Sequence, residues 1–525
     1  MIYLSHVRAI VYTRPMETQP IPAYKPIRMT PLACADSYKW SHWNQYPKDT
    51  IFVYSNMTPR GSRRVNKEPF VFFGLQSFLH KLIYRFNQDF FALDSEVAIM
   101  EFAQFYKKFF GADCPDDSIE KVTALHGLGY LPLLFRALPE GSIVPHGIPV
   151  LTIENTLPEF AWVTNFVESW LSAEFWQPST SATTSYIYRK TFDKYAALTS
   201  DSELFTQFQG HDFSFRGMEG IEAASASGAG HLLSSCGTDT LPALHWIREH
   251  YGHGMGSEYL IGTSVPASEH SVMQTHGSEG EEDTYRRLLT ECYPSGIVSV
   301  VSDTYDFWKI VTETLPNLKD IIMARDGKLV IRPDSSPKTP VEIIIGDSDA
   351  PEGTSERKGL IECLWDVFGG SMNSKGYKEL DSHIGAIYGD SITLDYQEKI
   401  LSGLMTKGFA STNVVLGIGS YTYQYVTRDT EGLAMKATAV AFGDALSFDT
   451  KEIVSIFKDP KTDTGCKKSA RGLLCVDSVD GAFYLRQECT IEEHLGGCLE
   501  PVMRDGEMLR HQNFKQVREV LWGAA

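Results

Sequence analysis

Five short apolar runs rich in β-branched residues, each stopped by Gly, Asp or Ser and followed by a helix-like stretch, constrain this chain most. They read EYLIGTS, GIVSVVSDTYD, KLVIRPDSS, HIGAIYGDS and NVVLGIGSYTYQY, with strand ends expected near 262, 302, 332, 388 and 417. The intervals leave room for a helix in each crossover, as parallel strands require. The expected fold class is α/β, with a βα-barrel or a related parallel sheet.

Other stretches have a different texture. LHGLGYLPLLFRALPEGSIVPHGIPVLTIENT alternates short β-type runs with Pro-Gly turns, which predicts an antiparallel region over about 120–157. PEFAWVTNFVESWLSAEFWQ then spaces its large apolar groups at three and four, which predicts helix over 158–200. From about 450 the chain runs through FKDPKTDTGCKKSARG, two short strand-like runs and a C-terminal helix. The 525 residues exceed one domain at roughly 100–200 residues each. The expected division is a disordered extension over 1–27, a β-rich domain over 28–157, a catalytic α/β domain over 158–449, and a segment over 450–525 that packs back on the N-terminal domain. Translation is expected to begin at Met16.

A formal net charge of −18 argues against a nucleic-acid surface, which needs an excess of Lys and Arg on one face. The nine cysteines are scattered, with no CxxC, so reduced thiols in a cytoplasmic protein are expected. No stretch is long and apolar enough to predict a membrane span.

In a parallel α/β structure the carboxyl ends of neighbouring strands share one rim. Here they would bring together His270, Asp303, Arg332, Asp334 and Asp390, with glycines at 389, 417 and 419. One Asp after a strand is more often a helix cap than a catalyst; an Arg, a His and three Asp together point to a site. Gly417, Ile418, Gly419 and Ser420 stand where a strand turns into a helix, a place for a phosphate or a plain tight turn, with Arg428 and Lys436 following. In FQGHDFSFRGMEG, Phe213 or Phe215 beside Arg216 offers a stacking wall for a heteroaromatic ring, or ordinary core packing with an Arg at its edge.

Nine segments in order, DSYKWSHWNQYP (36–47), GHDFSFRGME (210–219), GTDT (237–240), SVPASEHS (264–271), SVVSDTYD (299–306), IRPDS (331–335), GD (389–390), TRD (427–429) and FKDP (457–460), resemble the nicotinamide phosphoribosyltransferase family. The resemblance runs from about residue 28 to the C-terminus. It implies a type II phosphoribosyltransferase: an irregular α/β barrel with a second β-rich α+β domain, working as a homodimer with active sites at the interface. The reaction implied joins nicotinamide to phosphoribosyl pyrophosphate, with Mg²⁺, and ATP as co-substrate.

By that resemblance Phe213 and Tyr38 sandwich the pyridine ring, Tyr38 coming from the partner with Asp36 beside it. Asp239 accepts the carboxamide N–H, and Arg216 and Arg332 flank base and pyrophosphate. Asp334, Gly389 and Asp390 take the ribose, and Asp303 and Asp334 lie near Mg²⁺. Gly419, Ser420, Arg428 and Lys436 take the 5′-phosphate, while Arg60, Lys436 and Lys458 meet pyrophosphate or ATP phosphates. His270 is the residue phosphorylated by ATP, oriented by Glu269, Glu222 or Asp303. Two unit charges about 4 Å apart repel by about 1 kcal/mol in water and about 4 kcal/mol at an effective dielectric near 20. An ionised Asp239 facing the ring would thus favour nicotinamide over nicotinate by up to about two to three orders of magnitude. Ser336, Ser391 and Ser420 occupy positions where the family pattern has glycine, which puts the phosphate loop in doubt. Nicotinate phosphoribosyltransferase, or a non-catalytic nicotinamide-binding protein, are the alternatives.

Overall fold

A computed structural model describes residues 28–64, 68–443, 452–462 and 468–523. The expected N-terminal extension and the Met16 start lie outside the described residues. In chain order the principal strands are β1 (Thr50–Pro59), β2 (Leu133–Ala137), β3 (Leu151–Asn155), β4 (Gly210–Asp212), β5 (Gly237–Thr238), β6 (Ser295–Val301) and β7 (Asp326–Arg332). They continue as β8 (Ile384–Tyr388), β9 (Val414–Ile418), β10 (Leu433–Phe442), β11 (Val454–Ser455), β12 (Glu500–Arg504) and β13 (Glu507–Met508).

These strands build two sheets. One has the order β11-β10-β1-β3-β2-β12-β13 and is antiparallel throughout. The other has the order β5-β4-β9-β8-β7-β6 and is parallel throughout. Strands β6 to β9 match the apolar runs because successive side chains point to opposite faces. On β7, Leu329 and Ile331 are fully buried in the core, whereas Lys328, Val330 and Arg332 line a cavity on the other face.

Three expectations need correction. EYLIGTS forms no regular strand. Instead Thr263 bridges to Gly237 and Ala267 to Ser299, so one segment touches both edge strands, β5 and β6. Pro266 has no N–H with which to lengthen a ladder, but its carbonyl accepts from Ser299 at 2.9 Å, and the Ser268 N–H returns to Ser299 at 2.9 Å. The β-type reading from 120 began too early: Asp116–Leu128 is a helix, stopped at Gly129 with φ of 79°. Finally, β10, which falls inside the expected α/β domain over 158–449, pairs with β1 of the antiparallel sheet along its length.

The helices that matter are α1 (Glu168–Thr199), α2 (Gly220–His231), α3 (Leu241–Tyr251), α4 (His270–Met273), α5 (Leu394–Thr406) and α6 (Ser420–Gln424). Helix α1 buries a run of small hydroxyl residues, Ser179 to Ser185, that would weaken an isolated helix. Except for Thr180, their hydroxyls have partners on both sides: Thr183 Oγ1 accepts from Val71 N–H at 2.9 Å, and Ser185 Oγ donates to the His231 carbonyl at 2.7 Å. α1 thus ties the N-terminal segment at Val71 to α2 through the hydrogen bonds of Thr183 and Ser185. The C-terminal segment returns as β12 on β2, and Phe514, Val517 and Leu521 of the last helix pack with Val71, Phe73 and Trp246. No helix among the described residues is long and apolar enough to cross a membrane.

Candidate active site

The carboxyl ends of the parallel strands converge as expected. Asp303 follows β6, Arg332 ends β7 with Asp334 just beyond, Gly389 and Asp390 follow β8, and Gly419 and Ser420 follow β9. His270 opens α4, immediately after the bridging segment, and its Nε2 lies 3.2 Å from Asp303 Oδ1. Of the three carboxylates the sequence offered for His270, Asp303 is the one that meets it; Glu269 instead accepts from the Ser271 hydroxyl.

Asp303 and Asp334 sit side by side in opposite electrostatic conditions. Burial pushes the Asp303 carboxyl up, but the Ser335 hydroxyl, the Asp334 N–H, His270 and the Ser335 N–H together hold it below the ordinary carboxylate value. Asp334 goes the other way. Burial raises it; Arg332 and His270 lower it, while Asp303 and Asp390 repel it, and the net shift is upward. Asp334 Oδ1 and Arg332 Nε stand 3.6 Å apart, and each lacks a hydrogen-bond partner among the described residues. Glycine makes this crowding possible: a Cβ on Gly389 would stand 1.6 Å from Asp334 Oδ1, and one on Gly419 2.3 Å from Asp390 Oδ1.

Beside this cluster a cavity of about 470 Å³ runs along the inner face of the parallel sheet, from Arg332, Asp239 and Phe213 to Ile297 and Lys328 near the strand starts. Of the two phenylalanines the sequence offered, Phe213 lines it and Phe215 does not. The Phe213 ring packs on His211 at 4.5 Å between centroids, and His211 Nε2 lies 3.0 Å from Asp239 Oδ1, which also accepts from Ser264 Oγ at 2.5 Å. Burial raises the Asp239 carboxyl, but His211, Ser264 and Arg332 outweigh it and keep the group below its ordinary value. Asp239 is therefore ionised at neutral pH, and His211 donates to it through Nε2–H. Arg216 sits exposed on the short turn Phe215–Gly217, whose Gly217 would meet Ser420 Oγ at 2.0 Å if it carried a Cβ.

The remaining candidates form a second group, with Lys436 on the antiparallel sheet and the others outside its strands. The Tyr38 hydroxyl donates to Asp36 Oδ2 at 3.1 Å, and Ser169 Oγ donates to the same oxygen at 2.6 Å. Burial and the hydrogen bond to Asp36 raise the Tyr38 phenol, and the Arg428 charge opposes them. Burial lowers the Lys436 ammonium; Glu168 counters, and Arg60, Lys458 and Arg428 push it further down. The sequence attached Arg428 and Lys436 to Gly419 and Ser420, but Lys436 is on β10, in a cation group with Arg60, Lys458 and Arg428. Helix α6 has only five residues, so a phosphate at Gly419 and Ser420 would rely on backbone N–H groups more than on a helix dipole. Lys468, not singled out in the sequence, lines a cavity of about 140 Å³ with Arg60 and Lys436.

The sequence profile of the nicotinate phosphoribosyltransferase family matches residues 208–495, and that of the nicotinamide phosphoribosyltransferase N-terminal domain matches residues 31–133. A nicotinamide phosphoribosyltransferase of Acinetobacter baylyi is 44% identical over 506 residues, covering 94% of this chain and 97% of that protein. One of Xanthomonas campestris is 34% identical over 495 residues, with 93% and 97% covered. The chain belongs to the nicotinate and nicotinamide phosphoribosyltransferase family. The crystal structure of a nicotinate-nucleotide pyrophosphorylase from Pyrococcus furiosus shares the fold, with a TM-score of 0.54 at 14% identity over 95% of this chain and 96% of that one.

Within this phosphoribosyltransferase family pattern, the serine departures are now distinguishable. Ser391 holds φ of 58°, the left-handed region that glycine adopts without strain. Ser420 starts α6 with no such demand. Ser391→Gly is expected to raise stability by about 0.5–1 kcal/mol, read as a higher urea midpoint at unchanged slope. Sequence reasoning missed His211, Ser264 and Ser335 as functional partners. His211 stood inside the quoted GHDFSFRGME segment, but nothing local indicates that it faces Asp239, 28 positions on.

Proposed function

We propose that this chain transfers the phosphoribosyl group of phosphoribosyl pyrophosphate to nicotinamide, releasing nicotinamide mononucleotide and pyrophosphate. The observation that carries this is the ionised Asp239, held by His211 and Ser264 at the mouth of an aromatic-walled cavity and adjoining the Arg332–Asp334 rim. The ring would lie on Phe213 with its carboxamide N–H donating to Asp239. A nicotinate ring would bring a second negative charge there, so the nicotinate reading is disfavoured although the matching profile carries that name.

Positive charge develops on the ribose as the bond to pyrophosphate breaks, and the ring nitrogen then forms the new bond to that carbon. Asp334 and Asp390 would hold the ribose hydroxyls and oppose that charge, while Arg332 and Arg216 meet the departing pyrophosphate. The unpartnered Asp334 Oδ1, beside Asp303 and Asp390, suits a divalent cation brought in by substrate. Mg²⁺ that carries phosphates needs only one or two protein carboxylates. Mg²⁺ held there, by Asp334 with Asp303, would neutralise pyrophosphate charge.

The family resemblance is what supports a homodimer, in which Tyr38 and Asp36, with the cations Arg60, Arg428, Lys436 and Lys458 grouped near them, would complete the rim of the partner protomer. The bridges from residues 263 and 267 to both sheet edges support an irregular βα-barrel, with the antiparallel sheet as a second domain built from 28–157, β10 and 450–525. Free thiols at Cys34, Cys114, Cys236, Cys292, Cys363, Cys475, Cys489 and Cys498 suit a reducing cytoplasm; Cys466 lies outside the described residues.

His270 is proposed as the acceptor of a phosphoryl group from ATP. With Nε2–H donated to Asp303, the lone pair of Nδ1 is free to attack the γ-phosphorus, and ADP leaves. His270→Ala is expected to abolish the rise of turnover with ATP while nicotinamide binding persists; ATP stimulation that survived would remove this role. The function as a whole is tested by offering nicotinamide or nicotinate to the purified chain with Mg²⁺ and phosphoribosyl pyrophosphate, with and without ATP. Mononucleotide from nicotinamide is the expected product; preference for nicotinate would reverse the reading, and binding without product would favour the non-catalytic one.

A further inference from the structure

We propose that His80, His250 and His511 form a binding site for one divalent first-row transition ion of the zinc type, remote in sequence from the phosphoribosyl-transfer residues. The three histidines come from the helix Leu75–Phe86, the last turn of α3 and the segment before the C-terminal helix. One side chain fixes these segments together. Gln76 Nε2 donates to the His250 carbonyl at 2.6 Å and to the Gln512 carbonyl at 3.0 Å, while its Oε1 accepts from the Gln512 N–H at 2.8 Å. His80 follows Gln76 by one helical turn and so lies on the same face.

There His80 Nδ1 and His250 Nδ1 stand 3.4 Å apart. That is long for an N–H···N hydrogen bond. It matches the edge of a tetrahedron whose metal–nitrogen bonds are about 2.0–2.1 Å, an edge of about 3.3–3.4 Å. The third ring, His511, lies 5.8 Å from His80 between centroids, and His253 lies 6.3 Å from His511. No three ligands already converge among the described residues, so His511, which is exposed, must turn inward to complete the set. His253, also exposed, or water supplies the fourth position.

The imidazoles are also in the right protonation state. Burial, with His511 adding to it, lowers His80 to about 4; burial, His80 and Lys81 lower His250 to about 3. Both rings keep a lone pair at neutral pH, so metal binding displaces no strongly held proton. Nitrogen donors favour Zn²⁺, Ni²⁺ or Cu²⁺ over Mg²⁺, so this site does not compete for the ion that accompanies pyrophosphate. A bound ion would fasten the C-terminal segment to α3 and to the helix Leu75–Phe86.

The test uses the full chain without an affinity tag, dialysed against Co²⁺ as a spectroscopic probe and melted with and without Zn²⁺. One Co²⁺ per chain with visible tetrahedral bands, and a melting temperature raised by Zn²⁺, are expected. Both should be lost in His511→Ala, an exposed position that leaves folding intact, and in His80→Ala, while Mg²⁺-dependent turnover of the untreated variants stays unchanged. Co²⁺ binding or a Zn²⁺-induced melting shift that persisted in both variants would assign the ion to other histidines and overturn the proposal. Absence of bound Co²⁺ at about a tenfold excess over chain at neutral pH, where structural zinc sites bind tightly, would overturn it as well.

Discussion

Asp334→Asn is expected to lower turnover by about 10²–10³-fold while leaving the melting temperature unchanged or slightly higher. The two halves of that result share one cause. Asp334 is a carboxylate whose folded pKa is raised, by burial first and by the charges of Asp303 and Asp390, against the opposing pull of Arg332 and His270. A carboxyl with a raised folded value disfavours the folded state once it ionises, so its stability is fully present below the unfolded pKa and is lost as pH rises through the folded one. Keeping it charged at neutral pH therefore strains the fold, and the charge is retained for the ribose and its cation. Asparagine removes that strain and can still offer an oxygen to Arg332 and donors to the neighbouring carboxylates. Turnover within about tenfold of the parent, too small a loss for a group facing developing charge, would remove Asp334 from the machinery. A large drop in melting temperature would instead make the carboxylate structural.

Asp303 reverses each sign. Its folded pKa is depressed by hydrogen bonds from Ser335, Asp334 and His270 that outweigh its burial, so it stabilises the fold above its unfolded pKa and loses that contribution as pH falls through the folded value. Asp303→Asn is accordingly expected to lower the melting temperature at pH 7 and to narrow the gap to the parent under acid, read by thermal unfolding across pH 3–7. The adjacent acids thus have opposite effects on stability because one accepts N–H and O–H donors and the other faces Asp303 and Asp390 with an oxygen left unpartnered.

The parts of the fold legible in the sequence are those whose cause is local. Strands β6 to β9 declare themselves because each is a continuous apolar run ended by a turn residue, and their ends carry the Asp and Arg that meet at the rim, whereas His270 comes from the bridging segment, which is no regular strand. Strands β4 and β5 have three and two residues, too few for any periodicity, and they position Phe213 and Asp239. β10 is not singled out in the sequence, and its pairing with β1 depends on a segment nearly four hundred positions earlier. The same limit applies to side chains. That Lys436 belongs with Arg60 and Lys458 follows from the antiparallel sheet, and that His211 neutralises part of Asp239 follows from β4 and β5 lying side by side.

Asp239→Asn is expected to bring the kcat/KM values for nicotinamide and nicotinate to within about tenfold of each other, from a preference of about ten- to a hundredfold in the parent. The preference is smaller than an isolated, buried carboxylate would give. The Asp239 side chain is 42% exposed, so water screens much of its field, and His211 at 3.0 Å draws part of what remains. Replacing the charge by an amide relieves the repulsion of nicotinate and also weakens the hydrogen bond to the carboxamide, so nicotinamide turnover should fall about tenfold as nicotinate turnover rises. Salt separates charge from shape: raising ionic strength should shrink the preference of the parent and leave that of the variant unmoved. A preference that survives both salt and Asp239→Asn would mean that the choice is made by the walls of the cavity, by Phe213 and the residue stacked on its far side. Asp239 would then serve to hold His211 against Phe213 rather than to select the ring.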